Sequence, residues 1–426
     1  VTSFAGAIDV TTTPTATRAE TPAAHAHHGA ALEWHDARRV AWSIGAALPG
    51  STELVDVGAA AGRVLAVDSR SFVALPGFDS AAMDGWALGP GGGPWRIGHA
   101  VPMGGTPDPE PLARGLARAI TTGGPVPSGA VAVLRSEDGD VADGLLRAIR
   151  PPAAGAHIRR TGEESASGEV LARAGDVLTP PRCALLAAGG RDLVAVRRSP
   201  RVATLTLGDE VVRRGVPAPG TVRDVFGPAV PAIVAAFGGV AGPVRAVPDD
   251  LDDTVRALEE AFSGADGSAA ADIVVTTGGT AGGAGDHLRT ALARLGARIV
   301  VDGVAVRPGH PVTLAMLPDG RVVLGLPGNP MAGLLCLVAL GGPLLAAALG
   351  RPLPALGTAT AAEGLANPTR STRLVACITT DTAAVLPLGR QGSAMLHGLT
   401  AAEIVAIVPP GGLAAGSPVE TLPLPW

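Results

Sequence analysis

Three groups of residues in the second half of the chain have the types and spacing to handle an anionic ligand. Residues 278–285 read GGTAGGAG and precede Asp286. Backbone N–H groups in such a turn can cradle a phosphate or another oxyanion, aided by the start of a following helix. Arg307 and His310 stand three residues apart, interleaved with Pro308 and Pro311. Two potential cations in a stiff loop suit an anion. Asp209, Glu210 and Asp286 supply carboxylate oxygens that can hold Mg2+ between protein and phosphates. Each group also has a plainer reading. Asp286 fits a helix N-cap. Glu210, Arg307 and His310 suit solvated loops, and the Asp249, Asp250, Asp252, Asp253 cluster suits the positive start of a helix.

The elements that must position these residues follow from apolar patterning. Residues 202–206 read as a buried strand ending in Gly208-Asp209-Glu210, and 272–277 as another ending in Gly278-Gly279. Further strands are expected at 244–247, 297–301 and 322–326, with helices at 227–237, 249–262 and 286–295. Such alternation predicts a parallel sheet covered on both faces, with ligands at the carboxyl ends of the strands. Residues 331–350 carry no charge over twenty positions, about the length of a membrane span. Gly341, Gly342 and Pro343 interrupt them, so a buried helix broken at Pro343 is expected rather than a span. Upstream, helices are expected at 34–50, at 58–73 (running into a strand) and at 180–190. Turn-rich residues 76–140 read as a small β domain. After Arg351, apolar runs at 373–379 and 403–408 indicate a second β domain.

Composition narrows the class. The chain has 426 residues, 47% apolar and 17% charged, with a net charge of −5. These values fit a globular chain of about two to four domains and exclude a disordered one. The slight acidity and 3% aromatics argue against a general nucleic-acid binder. Three distant cysteines exclude a disulfide framework and a sequence-local zinc site; a cytoplasmic setting is expected. No signal peptide is visible. Residues 1–33 read as a disordered tail whose His25, His27 and His28 are incidental. All 33 basic residues are Arg, and the chain has no Lys, two Asn and one Gln. A GC-rich genome explains most of this depletion, and a catalytic Lys is excluded.

Eight collinear segments resemble the molybdopterin molybdenumtransferase family, the MoeA-type enzymes related to the E domain of gephyrin. They are PGFDSAAMDGWA at 76–87, TGGPVPSG at 122–129, the stretch 159–175, LGDE at 207–210, TGGTAGGAGD at 277–286, RPGHP at 307–311, LPGNP at 326–330 and QGSA at 391–394. The resemblance implies a multidomain α/β plus β fold with a central three-layer α/β molybdopterin-binding domain at 198–350. An elongated N-terminal domain would comprise 34–75 plus 141–197, with an inserted β domain at 76–140 and a C-terminal β domain at 351–426. It implies a homodimer with shared sites, and a reaction that inserts molybdate into adenylylated molybdopterin with release of AMP, assisted by Mg2+. Contacts with upstream and downstream molybdenum cofactor enzymes follow as possible; nucleic acid and membrane are not expected partners.

The same motifs imply residue roles. Asp84 and Thr122 would complete a neighbouring subunit's site. Glu210, Asp249 and Asp286 would serve catalysis, with Glu210 and Asp286 on the metal. Gly278, Gly279, Thr280, Gly282, Pro327, Gly328, Asn329 and Pro330 would bind the pterin substrate, and Arg307, His310 and Pro311 the molybdate. Phosphoanhydride cleavage depends mainly on positioning and charge neutralisation, which such residues supply. Several positions depart from the pattern. Arg307 replaces a Lys, and the family's basic and acidic pattern near 370–377 is thinned to Arg370 and Arg373. His310 replaces a Lys, so the anion pocket loses charge as pH rises. Ala281 and Ala332 replace serines, and Phe226 stands where the family has Asn. Two readings stay open: a working transferase with a remodelled pocket, or a catalytically impaired paralogue that binds or carries molybdopterin.

Overall fold

The computed structural model describes residues 31–104, 110–265, 267–280 and 287–426. His25, His27, His28, Ala281, Gly282 and Asp286 lie outside the described residues.

A six-stranded sheet forms the centre of the molecule. Its order is Val240–Val247, Arg201–Leu207, Ile273–Thr277, Val322–Leu326, Thr313–Met316, Arg298–Asp302. Its inner parallel strands, Arg201–Leu207, Ile273–Thr277 and Val322–Leu326, are buried along almost their whole length because helices cover both faces. On Val322–Leu326, Val322, Leu324 and Leu326 enter one core, shared with the helices Phe226–Ala236 and Pro330–Cys336. Val323 enters the other core, under Leu251–Ser263 and Leu288–Arg294. The helix Leu251–Ser263 starts where the Asp250 carboxylate accepts from Asp253 N–H and stops at Gly264.

Three expectations need correction. The sheet is mixed, not parallel. The first four strands are parallel, but Thr313–Met316 runs antiparallel to both of its neighbours. This strand was not anticipated, because it follows a Pro-rich loop and lies only a short turn before the next strand. The apolar helix does not break at Pro343. Pro330–Cys336 continues through a π-helical segment, Leu337–Gly341, into Gly342–Ala348. The wider turns just ahead of Pro343 accommodate its missing N–H and its ring. This 19-residue run is long and apolar enough to cross a membrane, yet 94% of its apolar window is buried within the fold. Finally, 58–73 holds no α-helix; only a 3-10 turn, Val57–Ala59, overlaps its start. Its Gly62, Leu65 and Ala66 N–H groups donate to the carbonyls of Leu178, Asp176 and Ala195, so cross-chain pairing replaces a helix.

The N-terminal helix Trp34–Ala47 buries Trp34, Ala37, Ala41 and Ile44 on one stripe, in the same core as Leu344 and Leu345. It thereby joins the α/β domain. The elongated part pairs Thr52–Asp56 with Leu193–Arg197 and carries the helix Pro180–Ala188. A second six-stranded sheet is built from strands between Gly85 and Ala148, so it runs past residue 140. Near the C-terminus five strands close a barrel: Thr372–Thr379, Ala384–Pro387, Gly357–Ala361, Pro418–Pro423 and Ile404–Val408 return to the first. Val306–Arg307, from the central domain, adds to this barrel parallel to Thr372–Arg373.

Candidate functional site

Four loops meet at one edge of the central sheet. Residues 208–210, 278–280 and 327–330 follow the carboxyl ends of parallel strands. The antiparallel strand Thr313–Met316 turns its amino end to the same edge, which brings loop 307–311 to it. Two adjoining cavities result. The first holds about 600 Å³ and is lined by Glu210, Asp224, Phe226, Gly278, Gly279, Thr280, Pro311 and residues 327–330. The second holds about 470 Å³, and Pro311, Pro327 and Asn329 belong to both.

The first cavity gathers the backbone-rich loops. Asp224 is nearly buried, and its Oδ1 accepts from the N–H groups of Phe226 (3.0 Å) and Gly227 (2.8 Å), which caps the helix that follows. The Phe226 ring is buried and fills the space a Cβ at position 333 would need, so only glycine fits there. Asp249 does not line either cavity. Its N–H donates to Asp209 Oδ1 (3.3 Å), while Asp209 N–H points back to Asp249 Oδ2 (3.5 Å), so it braces the 208–210 loop.

Among the described residues, the second cavity is lined by two arginines and no carboxylate. Arg307 pairs in register with Arg373 across the parallel strands, and both line it. Like charges side by side across a sheet repel, and the Arg307 guanidinium has no ion-pair or hydrogen-bond partner among the described residues. Arg373 donates to the Ala366 carbonyl (2.5 Å). An oxyanion between the two would relieve the repulsion and accept both forks. His310 also lines the cavity, with Nδ1 2.9 Å from the Val304 carbonyl. A carbonyl only accepts, so Nδ1 carries the hydrogen of this contact. His310→Lys places a permanent charge there. It is expected to tighten binding of an inorganic oxyanion several-fold. Titration calorimetry checks this, and an unchanged affinity would remove His310 from the site.

Beneath this loop, the Cys336 thiol donates to the Gly309 carbonyl (3.3 Å). Complete burial pushes the thiol up to about 12, so it stays protonated and can donate.

Asp84 and Thr122 come together, but elsewhere. Thr122 N–H donates to Asp84 Oδ1 (2.7 Å) at one end of the inserted sheet. Both are exposed, and neither lines the two cavities. Sequence reasoning did not single out Asp224, Thr369 or Ser393 as lining residues, and it met Arg373 only as a remnant of a charge pattern. The barrel brings Arg373, Thr369 and Ser393 in, and no local pattern announces that.

Comparison with known proteins agrees with this architecture. Residues 32–190 match a family model described as the MoeA N-terminal region (domain I and II). Residues 203–347 match one described as a probable molybdopterin binding domain. The molybdopterin molybdenumtransferase of Synechococcus elongatus is 31% identical over 394 residues, covering 88% of this chain and 95% of the relative. The chain belongs to the molybdopterin molybdenumtransferase family. The Nostoc member is 34% identical over 293 residues, 66% of each chain. The crystal structure of the molybdopterin biosynthesis MoeA protein of Pyrococcus horikoshii superposes with a TM-score of 0.75 at 26% identity, covering 92% of this chain and 99% of that one. The protein is thus a transferase of molybdenum cofactor biosynthesis.

Among the described residues, three departures from the molybdopterin molybdenumtransferase motifs, Phe226, His310 and Ala332, lie at the two cavities. Phe226 lines the first. His310 and Ala332 line the second, where the hydroxyl-bearing residues are Thr369 and Ser393 from the barrel side. Ala332 N–H donates to the Ser393 carbonyl (3.1 Å), which ties the QGSA loop to the start of the apolar helix. Among the described residues no three His, Cys, Asp or Glu side chains converge as a metal site.

Proposed function

We propose that the protein inserts molybdate into adenylylated molybdopterin and releases AMP. The observation that carries this reading is the adjacency of the two cavities. A larger one with backbone-rich walls at the strand ends shares Pro311, Pro327 and Asn329 with a smaller one bearing two arginines. A phosphorylated pterin in the first would present its dithiolene to an oxyanion in the second. Gly278, Gly279, Thr280 and residues 327–330 would hold the pterin substrate, and Arg307, His310 and Pro311 the molybdate. Mg2+ commonly takes one or two protein carboxylates, with waters and phosphate oxygens completing its shell. Glu210 at the cavity wall would supply one carboxylate, and Asp286, which lies outside the described residues, would supply the second. The metal would neutralise charge on the phosphoanhydride that breaks. A second copy of the chain would bring Asp84 and Thr122 to the site.

The deciding experiment supplies adenylylated molybdopterin and Mg2+, with and without molybdate. Molybdate-stimulated AMP release over many turnovers is the expected result. Stoichiometric pterin binding with no release would favour the carrier reading, with Phe226 and Ala332 as the first residues to revert.

A further inference from the structure

The chain holds only three side-chain amides in 426 residues, Asn329, Asn367 and Gln391. Two of them line the smaller cavity and the third lies just behind its wall. Asn329 and Gln391 line it, and Asn367 immediately precedes the lining residues Pro368 and Thr369. Two of the three are spent entirely on holding backbone. Gln391 Oε1 accepts from Ala376 N–H (3.1 Å), and its Nε2 donates to the carbonyls of Ala376 and Leu388 (2.8 Å each).

Asn367 is the more buried, 2% exposed. Its Nδ2, with two hydrogens to share, lies within hydrogen-bond distance of three carbonyls: Ser371 (2.9 Å), Val408 (3.0 Å) and Pro409 (3.0 Å). Its Oδ1 accepts from Thr369 N–H (3.2 Å) and lies 2.8 Å from Thr369 Oγ1. Its own carbonyl accepts from Gly411 N–H (3.1 Å). One side chain therefore ties loop 367–371 to the end of the strand Ile404–Val408. The residue just before it, Ala366, supplies the carbonyl that holds the Arg373 guanidinium.

We propose that Asn367 is a positioning residue of the molybdate cavity, fixing loop 366–371 so that Thr369 and Arg373 face Arg307. A buried amide with this many partners gives the loop one conformation, and a carboxylate in its place would face three carbonyl oxygens. The inference rests on reading that cavity as the molybdate site.

The test compares the wild-type full chain with Asn367→Asp by calorimetric titration with molybdate, and separately with molybdopterin. The expected result is a molybdate Kd raised by about tenfold or more, since a buried hydrogen-bond network loses its donors. Pterin binding stays within about twofold, because its loops leave from a different sheet edge. In turnover, KM for molybdate rises while KM for the pterin substrate holds. Where Asn367→Asp fails to fold, Asn367→Ser, which keeps one short donor, carries the same comparison. Wild-type-like molybdate binding in the folded variant overturns the proposal and leaves the molybdate reading intact. Equal losses for both ligands also overturn it, since they mark a general loss of structure. Failure of the wild type itself to bind molybdate removes the reading and the proposal together.

Discussion

Arg307→Ala is expected to cut molybdate-dependent AMP release by about a hundredfold, as removal of a fixed donor to an oxyanion does. Arg307 faces Arg373 in register in the smaller cavity and has no partner among the described residues to fall back on. Its fold role is carried by backbone pairing, so the variant keeps its structure. The stronger form of the experiment co-expresses Arg307→Ala with Asp84→Ala. Asp84 lies in the inserted sheet, bonded to Thr122, and does not line the cavity of its own chain. If each site takes Asp84 from the neighbouring copy, a mixed dimer has one site with both defects and one with neither. Random pairing makes half the dimers mixed, so about a quarter of wild-type activity should return from two inactive proteins. A mixture as inactive as its parts would place Asp84 in its own subunit's service or in a purely structural one.

Gly309→Ala is the second large effect. Gly309 sits at a φ of +121° between Pro308 and His310, a conformation that L side chains rarely adopt. A Cβ there would also run into Cys336 Sγ, which is buried beneath the loop. Backbone strain of about 1–3 kcal/mol is expected at such a position. The loop can relax only by lifting away from the apolar helix, and Arg307 and His310 move with it. Molybdate affinity should fall by more than about tenfold. Adding Cys336→Ala removes the sulfur and should recover part of the loss, a coupling that four titrations measure as a double-mutant cycle. Wild-type affinity in Gly309→Ala would show that the loop's seat on Cys336 does not position the anion ligands.

Much of the central domain was legible in the residues alone. The apolar runs at 273–277 and 322–326, the helix after Asp250 and the Gly- and Pro-rich turns that follow the strands are local signals, and the structure shows them at or within a few residues of their expected places. The order of the eight motifs also identified the family. The segment 58–73 was misread because its partners lie at 176–178 and 195, more than a hundred residues away.

What the sequence by itself determined is therefore a set of elements, the loops that could touch an anion, and a membership. Tertiary structure decided which of those loops share a cavity. Arg307 and Arg373 are neighbours only because Val306–Arg307 leaves the central domain to pair with the barrel. Loop 307–311 reaches the strand ends only because Thr313–Met316 runs antiparallel. Asn367 holds the cavity wall only because the end of Ile404–Val408 closes against it. Which distant segments pair, and in which direction, is decided by tertiary contacts that the local pattern of either segment does not encode.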